Sequence, residues 1–294
     1  MQCLKNNYEP IYLTINFFNQ IMKKNILISL STLVLASCSG DAINDEKGIN
    51  TVESTTAMSR NATYTEKTVV GSFNDITVNT AIISNIVKSD TEKVIISAPQ
   101  DIINYVVVKI VNGAVNISID KPTGIIIKDP VYATIYAKNI TALTATSAAE
   151  ITFKDSFESN KILFSINSAA KIKGNNNLIK ANELVLNLTS SSQFQCNIDT
   201  KVLNITSASS AKATVSGTAD SSTIEAATSS IIDGTSLLSG RTNLKALTSS
   251  RISQGVKTQA DAYATTASVI RILKKDPSLV VNKTTLLGGV ITVE

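Results

Sequence analysis

Residues 246–255 read ALTSSRISQG, with three small residues, Thr248, Ser249 and Ser250, between the apolar Leu247 and the pair Arg251-Ile252. A hydroxyl cluster of this kind is either a site for chemistry or a structural device, and the rest of the chain decides which. The pattern returns as SAAEI from Ser147, SAAKI from Ser168, SSSQF from Ser190, SSAKA from Ser209, TSSII from Thr228 and TASVI from Thr266, at spacings of 18–22 residues. Every triplet position is Ser, Thr or Ala. The next position is mixed, and the one after is apolar each time: Ile151, Ile172, Phe194, Ala213, Ile232, Ile252 and Ile270.

Upstream of each triplet the chain alternates with period two, which assigns Leu143/Ala145, Phe164/Ile166, Leu186/Leu188, Ile224/Ala226, Leu244/Ala246 and Ala262/Ala264 to one inward face. In the coil anchored at Ser209 the expected pair is Leu203/Ile205, displaced by two residues as a bulge or insertion would displace it. Period-two patterning inside a period near 20 describes an all-β chain wound as a parallel β-helix or solenoid, most simply right-handed. The triplets then fall at tight corners, where only small residues stack from coil to coil and hydroxyls can bond nearby backbone. Arg251 is expected outward and Ile252 inward.

Composition narrows the function. The 294 residues are 43% hydrophobic and 17% charged, as a globular chain is, and β-branched and small polar residues dominate. There is no His, which removes the usual acid/base group of serine and cysteine hydrolases and the commonest transition-metal ligand. A Ser-Lys pair at Ser168/Lys171 or Ser209/Lys212 fails because an offset of three residues on a strand puts the side chains on opposite faces. Asp155, Asp199, Asp220 and Asp233 do not share a repeat column, as the carboxylates of a carbohydrate-cleaving β-helix would. No catalytic, cofactor-binding or metal-ligating residue is assigned, and the chain reads as non-enzymatic. A net charge of +4 with no basic run among aromatics gives no footprint for nucleic acid. Cys3, Cys38 and Cys196 form no CxxC, and Cys196 shares the inward face with Phe194 as a buried small hydrophobe.

The front of the chain is an address. Lys23-Lys24, the apolar run 26–36 and then Ser37-Cys38 make a basic n-region and an h-region too short to span a bilayer. Leu35-Ala36-Ser37-Cys38 resembles the lipobox of bacterial lipoproteins, which implies that Cys38 receives the lipid and becomes the mature N-terminus; Ser39, in place of a retention-signal Asp, implies the outer membrane, on its periplasmic face or at the cell surface. Glu9 and Pro10 do not suit an n-region, so residues 1–21 are expected to be an extension ahead of the true start at Met22. The expected organisation is 1–21 extension, 22–37 signal peptide, 38–65 polar tether and 66–294 solenoid. The solenoid opens with a hairpin-containing segment in which Asn112-Gly113 turns KIV into AVNISI.

A lipobox, a tether, then GSFNDITV, KVIISAP, NGAVNISI and the Ser/Thr/Ala coils, in that order over residues 69–275, resemble the bacterial head GIN domain family of "putative auto-transporter adhesins"; ILKKDPSLVVNKTTLLGGVI is similar to the family's ending. The resemblance implies binding to a surface, a glycan or a protein through solvent-facing columns, and supplies no catalytic residue. Two other readings stand beside it: a structural envelope protein that assembles end to end, and a carbohydrate-active β-helix enzyme.

Overall fold

The computed structural model describes residues 62–294; the export signal, Cys38 and most of the tether lie outside the described residues. The strands are β1 (Tyr64–Val70), β2 (Asp75–Val78), β3 (Ile83–Lys88), β4 (Lys93–Pro99), β5 (Val106–Val111), β6 (Ala114–Ile119), β7 (Tyr132–Ala137), β8 (Ala142–Ala145) and β9 (Glu150–Phe153). The body follows as β10 (Phe157–Ile166), β11 (Lys171–Leu188), β12 (Gln193–Ser207), β13 (Lys212–Ala226), β14 (Ile231–Ala246), β15 (Arg251–Ala264), β16 (Val269–Lys274), β17 (Val280–Thr285) and β18 (Val290–Val293). From β8 onward each coil pairs in parallel with the next, so the domain is an all-β parallel solenoid.

Each coil has two faces. In β12 burial alternates from Phe194 to Thr200, breaks where Lys201 and Val202 are both exposed, and resumes from Leu203 to Ser207. The strand stretch after a triplet forms one face, and the stretch before the next triplet forms the other. One inward column runs Val115, Ile76, Leu143, Phe164, Leu186, Ile205, Ile224, Leu244 and Ala262, all buried. Phe164 anchors the wide part of the core, with ring centroids 6.2 Å from Phe153 and 5.1 Å from Phe194. Later coils fill the interior with smaller and polar groups. Ser222 and Thr242 share a 2.7 Å hydrogen bond, and Gln254 donates to Ser239 Oγ at 2.8 Å while its own carbonyl oxygen has no partner.

The triplets are turns of a defined kind. Their first two residues are left-handed at every repeat, for example Thr248 at φ 48° and Ser249 at φ 59°, and both are exposed. The third residue closes the turn with its N–H to the carbonyl three residues back and is buried, as Ser250 is. Two successive left-handed residues are the type I′ geometry that Asn-Gly normally takes. Its cost of about 1–2 kcal/mol per non-Gly residue is offset here by a ladder between coils. The N–H of the second corner residue donates to the carbonyl of the first corner residue in the next coil, from Ala81 to Ser147 through Ser249 to Thr266 and Ala267 to Leu287, at 2.8–3.2 Å. Packing therefore limits size at the third position, whereas the two outward positions are constrained by left-handed conformation, which the exposed Leu287 also adopts.

Three further differences from the sequence reading have plain causes. The coil before Ser209 has no bulge: Leu186 pairs with Ile205 and Leu188 with Ser207, so the inward pair is Ile205/Ser207 and a buried serine hid the register. Thr80-Ala81 and Leu287-Gly288 are two more corners with positive φ, the first masked because 67 residues separate it from its neighbour in space, Ser147. The cause is topological. The β2–β3 coil lies between β6–β7 and β8–β9, so chain order and stacking order differ at this end.

The hairpin expected at Asn112-Gly113 joins β5 to β6, with φ 50° and 77° at the two turn residues. β1 starts at Tyr64, ahead of the boundary drawn at residue 66, and pairs antiparallel with β4. A single 3-10 turn, Ile103–Tyr105, buries Ile102 and Ile103 at this end, and Ile125 and Ile127 pack onto the core beside it.

Candidate functional site

Among the described residues, five ion pairs join charges on outward columns. Lys161–Glu183, Lys173–Glu150, Lys180–Glu158, Lys245–Glu225 and Arg271–Glu294 are ion pairs between neighbouring coils, at 2.6–3.3 Å. Such exposed pairs contribute about 0–1 kcal/mol each, and they leave Lys171, Lys212 and Arg251, which share one outward column, outside these pairs. Arg251 is exposed and outward as expected, and Ile252 is fully buried. The Arg251 column, with Lys171, Gln193 and Lys212, borders a hollow of only about 90 Å³, and a small-ligand site needs a larger concavity.

The concavity lies on the face that follows the corners, where the repeat departs from its own register. β11 carries extra residues between Lys173 and Leu178 relative to β12; β13 and β14 slip between Thr214 and Ser216; β14 and β15 slip between Gly234 and Leu238. Asn175 and Asn176 are left-handed, at φ 46° and 69°, and form an overhang on the first of these coils. Asn177 Nδ2 fixes its base by donating to Phe153 O at 3.0 Å, and Leu178 N–H donates to Ser156 Oγ at 2.9 Å. Gly174 is required beneath it, since a Cβ there would meet Cys196 Sγ at 3.0 Å.

Below the overhang is a trough of about 580 Å³ lined by Asn175, Asn176, Gln195, Asn197, Thr214, Ser216, Asp233, Thr235 and Ser236, with Cys196 and Val215 at its floor. That volume lies in the range of small-ligand sites. Asp233 Oδ1 accepts from the Thr235 hydroxyl at 2.8 Å and from its N–H at 3.1 Å, which orients the carboxylate. Asn197 Oδ1 accepts from Ser216 Oγ at 3.4 Å. Amides, hydroxyls and one carboxylate can exchange hydrogen bonds with a hydroxyl-rich or peptide ligand; they offer an acyl chain nothing. Cys196 is buried, as its place beside Phe194 indicated, and burial pushes its thiol far above the ordinary range, so it supplies no thiolate nucleophile.

The triplet hydroxyls do not converge on this trough. They form the corner row, and three of the four buried ones bond backbone: Ser230 Oγ to Ser207 O at 2.9 Å, Ser250 Oγ to Ala226 O at 2.8 Å and Ser268 Oγ to Ala246 O at 2.7 Å, while Ser192 Oγ has no partner. Asp199 holds the Thr218 hydroxyl at 2.7 Å in its neighbouring coil and lines a cleft of about 250 Å³ with Asp220, while Asp155 and Asp233 stand elsewhere. Among the described residues no group of three or more Cys, Asp or Glu side chains is placed to hold a metal. Cys38, the residue assigned to lipidation, lies outside the described residues. The trough was not foreseen from sequence. Its signal was present in the GNNN run at residues 174–177, inside the longest of the six spacings between triplets.

A family model described as "Putative auto-transporter adhesin, head GIN domain" matches residues 72–275. Sequence comparison with curated proteins finds no match. A crystal structure from Parabacteroides distasonis ATCC 8503, described as a "putative lipid binding protein", is 16% identical, covers 80% of this chain and 98% of its own, and superposes with a TM-score of 0.72. A "putative adhesin" from Parabacteroides merdae ATCC 43184 is 15% identical over 80% and 97% of the two chains, also at 0.72. A "putative adhesin" from Bacteroides fragilis NCTC 9343 is 14% identical over 79% and 96%, at 0.56. At these identities the likeness is one of fold.

Proposed function

The chain belongs to the family described as "Putative auto-transporter adhesin, head GIN domain", and from that premise we propose that it is a non-enzymatic adhesin of the bacterial envelope, lipid-anchored through Cys38 and binding a hydroxyl-rich or peptide ligand in the trough beside Asn176 and Asp233. The observation that carries this reading is the trough itself. It forms where three of the four coil pairings from β11 to β15 slip in register, at the expense of two left-handed asparagines, and its rim is polar. Loss of regularity in a solenoid exposes backbone and weakens coil stacking, so an irregular, oriented polar cleft is a better candidate for recognition than the regular columns around it. The polar rim favours an adhesin over lipid binding, the role named for one structural relative.

Two measurements test it. In cells making the protein, Cys38→Ser should abolish incorporation of labelled palmitate and release the protein from the membrane fraction; a variant that stays membrane-bound would remove the anchor. Protease added to intact cells should degrade the protein, and Asp233→Ala with Asn176→Ala should lower attachment of those cells to host or polysaccharide surfaces. Survival of the protein under protease, or unchanged attachment of the double variant, would remove the adhesin reading.

A further inference from the structure

The opposite face carries a second arrangement with a more specific chemistry. Of the five aromatic residues after Ala142, Phe153, Phe157, Phe164 and Phe194 are buried, and Tyr263 alone is not. It stands on an outward column in which Thr206, Glu225, Lys245 and Thr284 hold the neighbouring coils. Two residues back along the strands, the adjacent outward column presents Asn243, Asp261 and Asn282 in consecutive coils. The Asp261 carboxylate is held at both oxygens: Asn282 Nδ2 donates to Oδ1 at 2.6 Å and Gln259 Nε2 donates to Oδ2 at 3.0 Å. An ionised carboxylate accepts about four hydrogen bonds, so roughly two sites remain on an oriented group. Ring and amide row border one shallow cleft of about 380 Å³.

We propose that Tyr263 and the Asn243–Asp261–Asn282 row form a pyranoside-binding subsite. The two rows are separated by about 7 Å along the strand and their members by about 4.8 Å between coils, so a sugar ring lying on the Tyr263 face brings a vicinal hydroxyl pair over the Asp261 carboxylate and the flanking amides. The Tyr ring is a rigid platform of low conformational entropy, and the neighbouring Lys245 is already paired with Glu225 at 3.3 Å, which leaves the cleft without a free cation of its own. That balance selects a neutral sugar over an anionic one. The subsite rests on the surface-binding reading but not on the trough, which lies on the other face of the coils.

The test is saturation-transfer NMR of the full chain with methyl glycosides of glucose, galactose, mannose and N-acetylglucosamine. Transfer is expected to the C–H protons of one face of at least one glycoside. Tyr263→Phe should retain it, Tyr263→Ala should weaken it about tenfold, and Asp261→Ala should weaken it comparably, an effect near 1.4 kcal/mol. Asp233→Ala in the trough should leave it unchanged. Absence of transfer to every glycoside overturns the subsite, as does transfer that survives Tyr263→Ala or Asp261→Ala, or that is lost with Asp233→Ala instead. Cell attachment lost on trough substitution but not on Tyr263→Ala would leave the adhesin reading standing without this subsite.

Discussion

Ser249 is the second residue of a corner, at φ 59°, exposed, with its N–H donated to Thr266 O at 2.9 Å. If backbone conformation dictates the corner, substitutions should rank by their tolerance of left-handed φ rather than by size. Ser249→Gly removes a left-handed penalty of about 1–2 kcal/mol and adds about 0.5–1 kcal/mol of unfolded-state entropy, a net gain of roughly 0.5–1 kcal/mol. Ser249→Ala should be near neutral, since Ala148, Ala169 and Ala267 hold the same position in other coils. Ser249→Val brings a β-branched residue to positive φ and should cost about 1–2 kcal/mol. Ser249→Pro fixes φ near −65° and deletes the ladder donor, for a loss above about 3 kcal/mol. Stacked coils unfold locally, so native-state hydrogen exchange of the Arg251 and Val269 amides should be read beside urea midpoints. If Val is tolerated as well as Gly, or if Gly gives no gain over Ala, conformation does not govern the corner.

Other outcomes follow from the same coordinates. Cys196, buried with its thiol pKa pushed up, should resist alkylation at pH 8 in the folded protein and react only as fast as the domain opens, measured by peptide mass spectrometry under increasing urea. Lys283 takes the register position that Ala262 and the buried residues beyond it hold in earlier coils, and it is exposed on the last coil. A charge there blunts strand addition, so Lys283→Val should produce concentration-dependent association in sedimentation, and a persistent monomer would refute that role. The Arg271 bond lowers the Glu294 carboxyl below its usual value. A depressed folded pKa means stability present above the unfolded pKa and lost as pH falls through the folded one. Protection factors of the β18 amides, normalised to the intrinsic exchange rate at each pH, should therefore fall on acidification in the natural protein and change less in Glu294→Gln.

Much of the fold was legible because a solenoid writes its coil into the chain as a period. Ile151, Ile172, Phe194, Ile232, Ile252 and Ile270 are all buried, as the alternation required. The same reading failed at Ser207, where a polar residue occupies an inward position and pattern alone shifted the register by two. It also failed at Thr80-Ala81, whose neighbour in the stack is distant in sequence. The trough was less legible than either. Asn175, Asn197, Ser216 and Asp233 belong to four different coils and share no motif; register slips bring them together, and a slip is visible only when adjacent strands are paired.

The sequence by itself determined the coil, because burial on one side of a strand demands alternation and stacking demands that it recur. It also marked the corners, through the restriction to Ser, Thr and Ala. Tertiary structure decided what those corners are, left-handed turns joined by a hydrogen-bond ladder that no single repeat can form alone. It also decided that β2–β3 is stacked inside the coils that follow it in the chain, and that Tyr263 faces outward beside Asp261. These depend on which strand lies next to which, and that is fixed by pairing energies summed over the whole stack rather than by any local run of residues.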